Sequence, residues 1–213
     1  MAERGLTQRH IRLLGASLLA AELALWWLHG ATASWAAGHR WFDLDVEGSV
    51  PVWFSSVQLF CVAGVAASCA WKERRRGWWW LSGLFLYLSV DETAGFHEAI
   101  GEWLGRRIAI PVLFPQGGVK VWLAAFSPLI AFAVWYVGKF LSKDFRGKLG
   151  PRVLAWAGLA IWLEALVVET GWVFRGTPLP VLVGWEEFLE MAGATCFLIA
   201  FLTHAVMARK RPS

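Results

Sequence analysis

Two short stretches of the chain hold carboxylates at a density that invites chemistry. Asp91, Glu92, His97 and Glu98 fall within eight residues, and Glu186, Glu187 and Glu190 within five. Carboxylates are hard oxygen ligands and proton carriers, and an imidazole beside them supplies either a nitrogen ligand or a base that titrates near neutrality. On one continuous helix Asp91, Glu98 and Glu102 share a stripe, because steps of about seven and eleven residues return close to the same direction. Gly95 lies on that stripe and lets a helix or ligand approach. Glu92 and His97 flank it, roughly 100° and 120° away. On the later stretch the three glutamates occupy a sector of about 100°, continued by Gly193. Glu164 and Glu169 diverge by about 140° and serve different partners, with Glu169 the better placed by depth.

This pattern predicts a metal-ligating set of Asp91, His97, Glu98, Glu169 and Glu190, with Glu92 and Glu187 as acid or base in a catalytic step. The metal would be a divalent ion: iron, manganese or zinc. A carboxylate-bridged pair usually employs two Glu-x-x-His units, and the chain has none. A single ion held by His97 and two or three carboxylates fits equally. Plainer roles exist for several of these residues. Glu186 and Glu187 suit a helix N-terminus, Glu98 and Glu102 an interface, and His97 a buried hydrogen bond.

The elements that position these groups are set by hydropathy. Of the 213 residues 57% are hydrophobic, and apolar runs of membrane-spanning length fall at about 11–29, 50–71, 78–98, 119–141, 153–173 and 183–207. Only helices and closed barrels satisfy their backbone groups in lipid, and the alternating polarity of barrel strands is absent. The expected fold is therefore all-α, a single domain over 1–213: an integral membrane bundle of six transmembrane helices. Basic residues precede the first run, and Ala31-Thr32-Ala33 looks like a signal-peptide cleavage site. Glu22, Trp26 and Trp27 argue against cleavage, so the run is kept as helix one.

Fifteen Lys and Arg fall on the side of the termini and of the second and fourth turns, five on the other. That asymmetry predicts both termini inside. The sequence holds 16 Trp, and on these spans they gather near the two boundaries as aromatic belts. Trp78, Trp79 and Trp80 belong to the inner belt, and Trp162 alone sits near mid-membrane. The net charge of +4 is a topology signal, and no nucleic-acid partner is expected. The external stretches 30–49, with Asp43, Asp45 and Glu47, and 99–118, with Pro111 and Pro115, read as solvated loops or a lid. His204 is expected to snorkel among Arg209, Lys210 and Arg211. Cys61, Cys69 and Cys196 form no C-x-x-C and read as buried apolar thiols.

On this topology the acids of the third, fifth and sixth spans lie at mid-membrane or in the outer half. An ionisable group there costs about 2.5–3.5 kcal/mol on insertion scales, so it faces the bundle interior and does something. Arg175 and Lys120 are the outer basic residues that could neutralise some of them. No G-x-S-x-G, H-E-x-x-H, P-loop or set of histidine boxes occurs. The Glu186–Glu190 run resembles the paired-Glu motif of membrane prenyl-protein proteases, but the Arg and the histidine helices of that family are missing.

The segment Phe42-Asp43-Leu44-Asp45-Val46-Glu47-Gly48, the run Asp91-Glu92…His97-Glu98 and the run Glu186-Glu187-Phe188-Leu189-Glu190-Met191-Ala192-Gly193 together resemble an uncharacterised family of bacterial multipass membrane proteins. That family shows D-E-x4-H-E and E-E-x-x-E-M-x-G signatures. The resemblance implies six helices and no established activity, and it points to Asp91, Glu92, His97, Glu98, Glu187 and Glu190. The expectation is thus a protein of the bacterial inner membrane, a metal-dependent enzyme acting on a lipid or other apolar substrate. Its partners would be the lipid bilayer and that substrate. The alternatives are a proton- or cation-coupled transport or binding module, and an accessory subunit of a larger membrane complex.

Overall fold

The computed structural model describes residues 7–32, 40–107, 121–175 and 180–209, and these are all-α. Among them seven helices follow in order: α1 (Gln8–Thr32), α2 (Val50–Glu73), α3 (Arg76–Ala94), α4 (Phe96–Gly105), α5 (Val121–Asp144), α6 (Leu149–Arg175) and α7 (Pro180–Arg209). One turn of 3-10 helix lies at Arg40–Phe42. Five helices, α1, α2, α5, α6 and α7, are long and apolar enough to cross a membrane, which marks a multipass membrane protein.

The third expected span, 78–98, is two helices. Gly95 adopts φ +55° and ends α3, its N–H bonding to the Asp91 carbonyl at 2.8 Å. Such left-handed caps favour glycine, because a Cβ is strained there. A Cβ on Gly95 would also collide with the Glu47 carboxylate. The chain then restarts as α4, so residues 99–105 are helical and not the loop the sequence suggested. Asp91, Glu98 and Glu102 therefore share no continuous stripe.

Polar side chains hold α3 on α2. Ser56 Oγ donates to the Ser89 carbonyl at 2.7 Å, Ser89 Oγ returns the bond to the Ser56 carbonyl at 2.8 Å, and Ser82 Oγ donates to the Ala63 carbonyl at 3.0 Å. These pairings put the two helices antiparallel after a turn in which Arg74 takes φ 50°. Hydroxyl-to-carbonyl bonds of this kind tie helices together where lipid offers no hydrophobic drive.

Helix α7 is the centre, packed on α1, α2 and α6. It lies antiparallel to α1, since Ile11 meets Val206 at one end and Leu25 meets Met191 at the other. The start of α1 and the end of α7 thus share one end of the bundle. Close approach to α6 runs through two glycines: a Cβ on Gly158 would lie 3.0 Å from the Gly193 carbonyl, and one on Gly193 would meet the Trp162 indole. The main core is aromatic. Trp78 packs edge-on against Phe140 and Phe201, with ring centres 4.9 and 5.1 Å apart, and Phe85 against Phe197 at 5.2 Å.

Trp78 is fully buried and so belongs to no belt, whereas Trp27, Trp53, Trp71, Trp79, Trp80 and Trp135 are exposed on the flanks as the belts require. The difference follows from helix phase: Trp78, Leu81 and Phe85 form the inward face of α3. His204 does not snorkel. It is fully buried, with Nε2 2.6 Å from Glu73 Oε1 and Nδ1 3.2 Å from Lys148 Nζ. Cys69 is buried as expected, but Cys61 is exposed.

Candidate functional site

The carboxylates gather at the end of the bundle opposite Glu73 and His204. Four elements and a loop deliver them: the end of α3 (Asp91, Glu92), α4 (His97, Glu98), the end of α6 (Glu169), the start of α7 (Glu186, Glu187, Glu190) and the segment from Asp43 to Glu47. That segment is anchored where the Leu44 N–H donates to His29 Nδ1 at 3.2 Å. His29 itself rests on Gly184, where a Cβ would lie 3.0 Å from the ring.

The break at Gly95 does specific work. It turns the start of α4 back over Asp91, whose Oδ1 accepts the His97 N–H at 3.0 Å while Oδ2 lies 2.6 Å from His97 Nδ1. One carboxylate thus caps the new helix and fixes the imidazole, with its Nδ1 engaged and its Nε2 turned away from Asp91. The ring packs edge-on against Trp122 of α5, with centres 4.6 Å apart. Burial alone would pull the His97 pKa down. The hydrogen bond to Asp91 and the charges of Asp91, Glu98 and Glu169 outweigh it and hold the group above its ordinary value.

Around this dyad the other acids act on one another. Glu92 faces Ser55 of α2 and feels both His97 and Asp91. Glu187 interacts with Glu190, Glu92, Glu186 and Asp45, and Glu190 with Glu92, Glu186, Glu169 and Asp91. In the segment above, burial pushes the Asp45 carboxyl up from its ordinary value; Asp43 and Glu98 add to the shift and His29 opposes it. Trp162 of α6 donates its indole N–H to the Glu190 carbonyl at 2.9 Å, which fixes this turn of α7.

All seven residues singled out from the sequence, Asp91, Glu92, His97, Glu98, Glu169, Glu187 and Glu190, therefore meet in one electrostatic neighbourhood. Among the described residues, however, no three His, Cys, Asp or Glu side chains are close enough together to ligate one metal ion. Lys120 and the side chain of Arg175, the expected counter-ions, lie outside the described residues. Sequence reasoning missed the Asp91–His97 pairing, and it missed the contribution of Asp45 and Glu47. The first was hidden because a helix phase computed through Gly95 separates the two by a third of a turn. A glycine following Ala94, with an acid four residues before it, is the signal of a C-cap that could have exposed it.

Beside the cluster, a cleft of about 350 Å³ is lined by Gly48, Ser49, Val50, Val52, Trp53 and Thr93. It opens one residue along α3 from Glu92, with an apolar wall supplied by α2. No match to the chain was found among curated proteins or among solved structures. The family described as Domain of unknown function (DUF8692) matches residues 11–205, nearly the whole helical bundle, and the chain belongs to that family.

Proposed function

We propose that this is a bacterial inner-membrane enzyme in which the carboxylates around His97 hold a divalent cation and act on a lipid or other apolar substrate. The two signatures that carry most of the cluster are read as those of the multipass family the sequence resembles. The observation that carries the proposal is the company of Glu187 and Glu190. After burial, the strongest influences on both are other acids: Glu190, Glu92, Glu186 and Asp45 on Glu187, and Glu92, Glu186, Glu169 and Asp91 on Glu190. Several carboxylates in a weakly screened bundle repel strongly, and a divalent cation offsets that repulsion while drawing the oxygens inward.

His97 Nε2, Glu98, Glu169 and Glu190 would be the ligands once the ion has drawn them together, since no three of the described side chains stand within ligating distance of one ion. Asp91 orients the imidazole through Nδ1, as outer carboxylates do for ligating histidines. Glu92 and Glu187 remain for proton transfer, and the ion would polarise a substrate oxygen or a water. The Val50, Val52 and Trp53 wall beside Glu92 suits an acyl chain.

Six spans with both termini inside is the topology that goes with this reading. Helix α3 is antiparallel to α2, and its 19 residues would extend about 28 Å, close to the hydrocarbon thickness. The shared end of α1 and α7 carries the basic side chains, which the positive-inside rule assigns to the cytoplasm. The cluster then faces the outside.

Proton- or cation-coupled transport is the weaker reading because such a route must cross the bundle. Below Thr195 the axis is filled by Phe197, Phe201, Phe85 and Trp78. Elemental analysis of protein purified without chelators is expected to find about one iron, manganese or zinc per chain, and much less in His97→Ala and Glu190→Gln. Metal-free wild type would reject the proposal.

A further inference from the structure

Halfway along the bundle, remote from the outer cluster, three polar side chains from three helices close on one another. Gln58 of α2 donates through Nε2 to Glu22 Oε1 of α1 at 2.7 Å and to Thr195 Oγ1 of α7 at 2.8 Å, and the Thr195 hydroxyl donates to the same Glu22 oxygen at 2.6 Å. All three residues are buried, Glu22 completely. Two acceptors, Glu22 Oε2 and Gln58 Oε1, have no donor. A water could supply hydrogens to both, but it would leave the carboxylate charge uncompensated in the middle of an apolar bundle.

The groups facing Glu22 do not compensate it either. Helix α2 presents the neutral Gln58, Cys196 of α7 feels the acid's charge without offsetting it, and among the described residues no basic side chain acts on it. One positive charge resolves both the missing donor and the missing countercharge. A divalent ion would leave a net buried charge. The oxygens on offer, carboxylate, amide and hydroxyl, are hard ligands with no nitrogen or sulfur among them.

From this we infer that Glu22, Gln58 and Thr195 form a mid-membrane binding site for a single monovalent cation, a proton or a sodium ion. The site is distinct from the outer cluster and does not depend on what that cluster holds. With a proton, Glu22 is neutral and its Oε2–H becomes a donor, while Oε1 keeps the bonds from Gln58 and Thr195. With sodium, Oε2 and Gln58 Oε1 are the ligands and Thr195 supports them.

Infrared difference spectra between wild type and Glu22→Gln, on full-length protein in detergent at neutral pH, read the state of this carboxyl. Without sodium, the wild type is expected to show the carbonyl stretch of a protonated acid that the variant lacks. If that band persists in sodium, the ligand is the proton. If it vanishes and radioactive sodium binds at one ion per chain in wild type but not in Glu22→Gln, the ligand is sodium. A carboxylate that is ionised with and without sodium, together with no retained sodium, overturns the inference. Should Glu22→Gln fail to fold, Thr195→Val keeps the acid and removes one hydrogen bond. Its carbonyl band must then shift, or its sodium affinity fall several-fold; an unchanged spectrum and unchanged affinity likewise overturn it.

Discussion

Asp91 has two duties at once, capping α4 through the His97 N–H and holding the His97 ring. The pairing ties stability to pH with a definite sign. The His97 pKa is raised in the folded protein, so the contribution is fully present below its unfolded value of 6.5 and is lost as pH rises through the folded value. Metal-stripped protein should therefore melt at progressively lower temperature as pH is taken upward through that window. Asp91→Asn should flatten the dependence, because the neutral amide no longer favours the imidazolium. A melting profile equally steep in Asp91→Asn would remove the pairing as its cause. Gly95 is the other decisive residue. Gly95→Ala forces a Cβ into a left-handed backbone and against Glu47, and should cost roughly 1–3 kcal/mol in thermal or denaturant unfolding.

At the scale of elements, hydropathy located α1, α2, α5, α6 and α7 to within a few residues, because a lipid-spanning length of apolar side chains is a strong local signal. The α3–α4 break was not legible in the same way. Its cause is a single backbone angle at Gly95, and the same glycine also suits the close-approach role first given to it. His204 was misread for a different reason. Its sequence neighbours are basic, but the groups that reach it, Glu73 and Lys148, come from elsewhere in the chain.

Two experiments belong at this scale. In a background lacking Cys61, Cys69 and Cys196, an impermeant thiol reagent applied from outside should label Thr93→Cys but not Arg74→Cys until the membrane is opened. Labelling of both from one side would mean that α3 does not cross. Gly193→Ala would press a Cβ onto the Trp162 indole and disturb its bond to the Glu190 carbonyl. Overpacking of this kind should destabilise the α6–α7 contact by about 1–3 kcal/mol, read as a lowered melting temperature.

Across the whole molecule, polar groups lie at three depths and the apolar core separates them. Acids crowd one end, and Glu22 with Gln58 and Thr195 forms an isolated middle layer. Glu73, His204 and Lys148 close the other end, joined there by the Arg75–Asp144 ion pair. The aromatic layer of Trp78, Phe85, Phe197 and Phe201 lies between the middle and the basic end. In the proposed reading the acidic end is a site open to one side of the membrane, while Glu73, His204 and Lys148 tie helices together at the other. The acidic end has the larger set of carboxylates acting on one another among the described residues, with the oriented His97 imidazole beside them and no basic side chain among the strongest influences on Glu187 and Glu190. Manganese titration of metal-stripped protein, followed by paramagnetic resonance, tests this most directly. One saturable site per chain is predicted in wild type and in Glu73→Gln, weakened at least tenfold in Glu190→Gln and in His97→Ala. An absence of saturable binding in wild type, or binding that both variants leave untouched, would contradict a cation site at the acidic end.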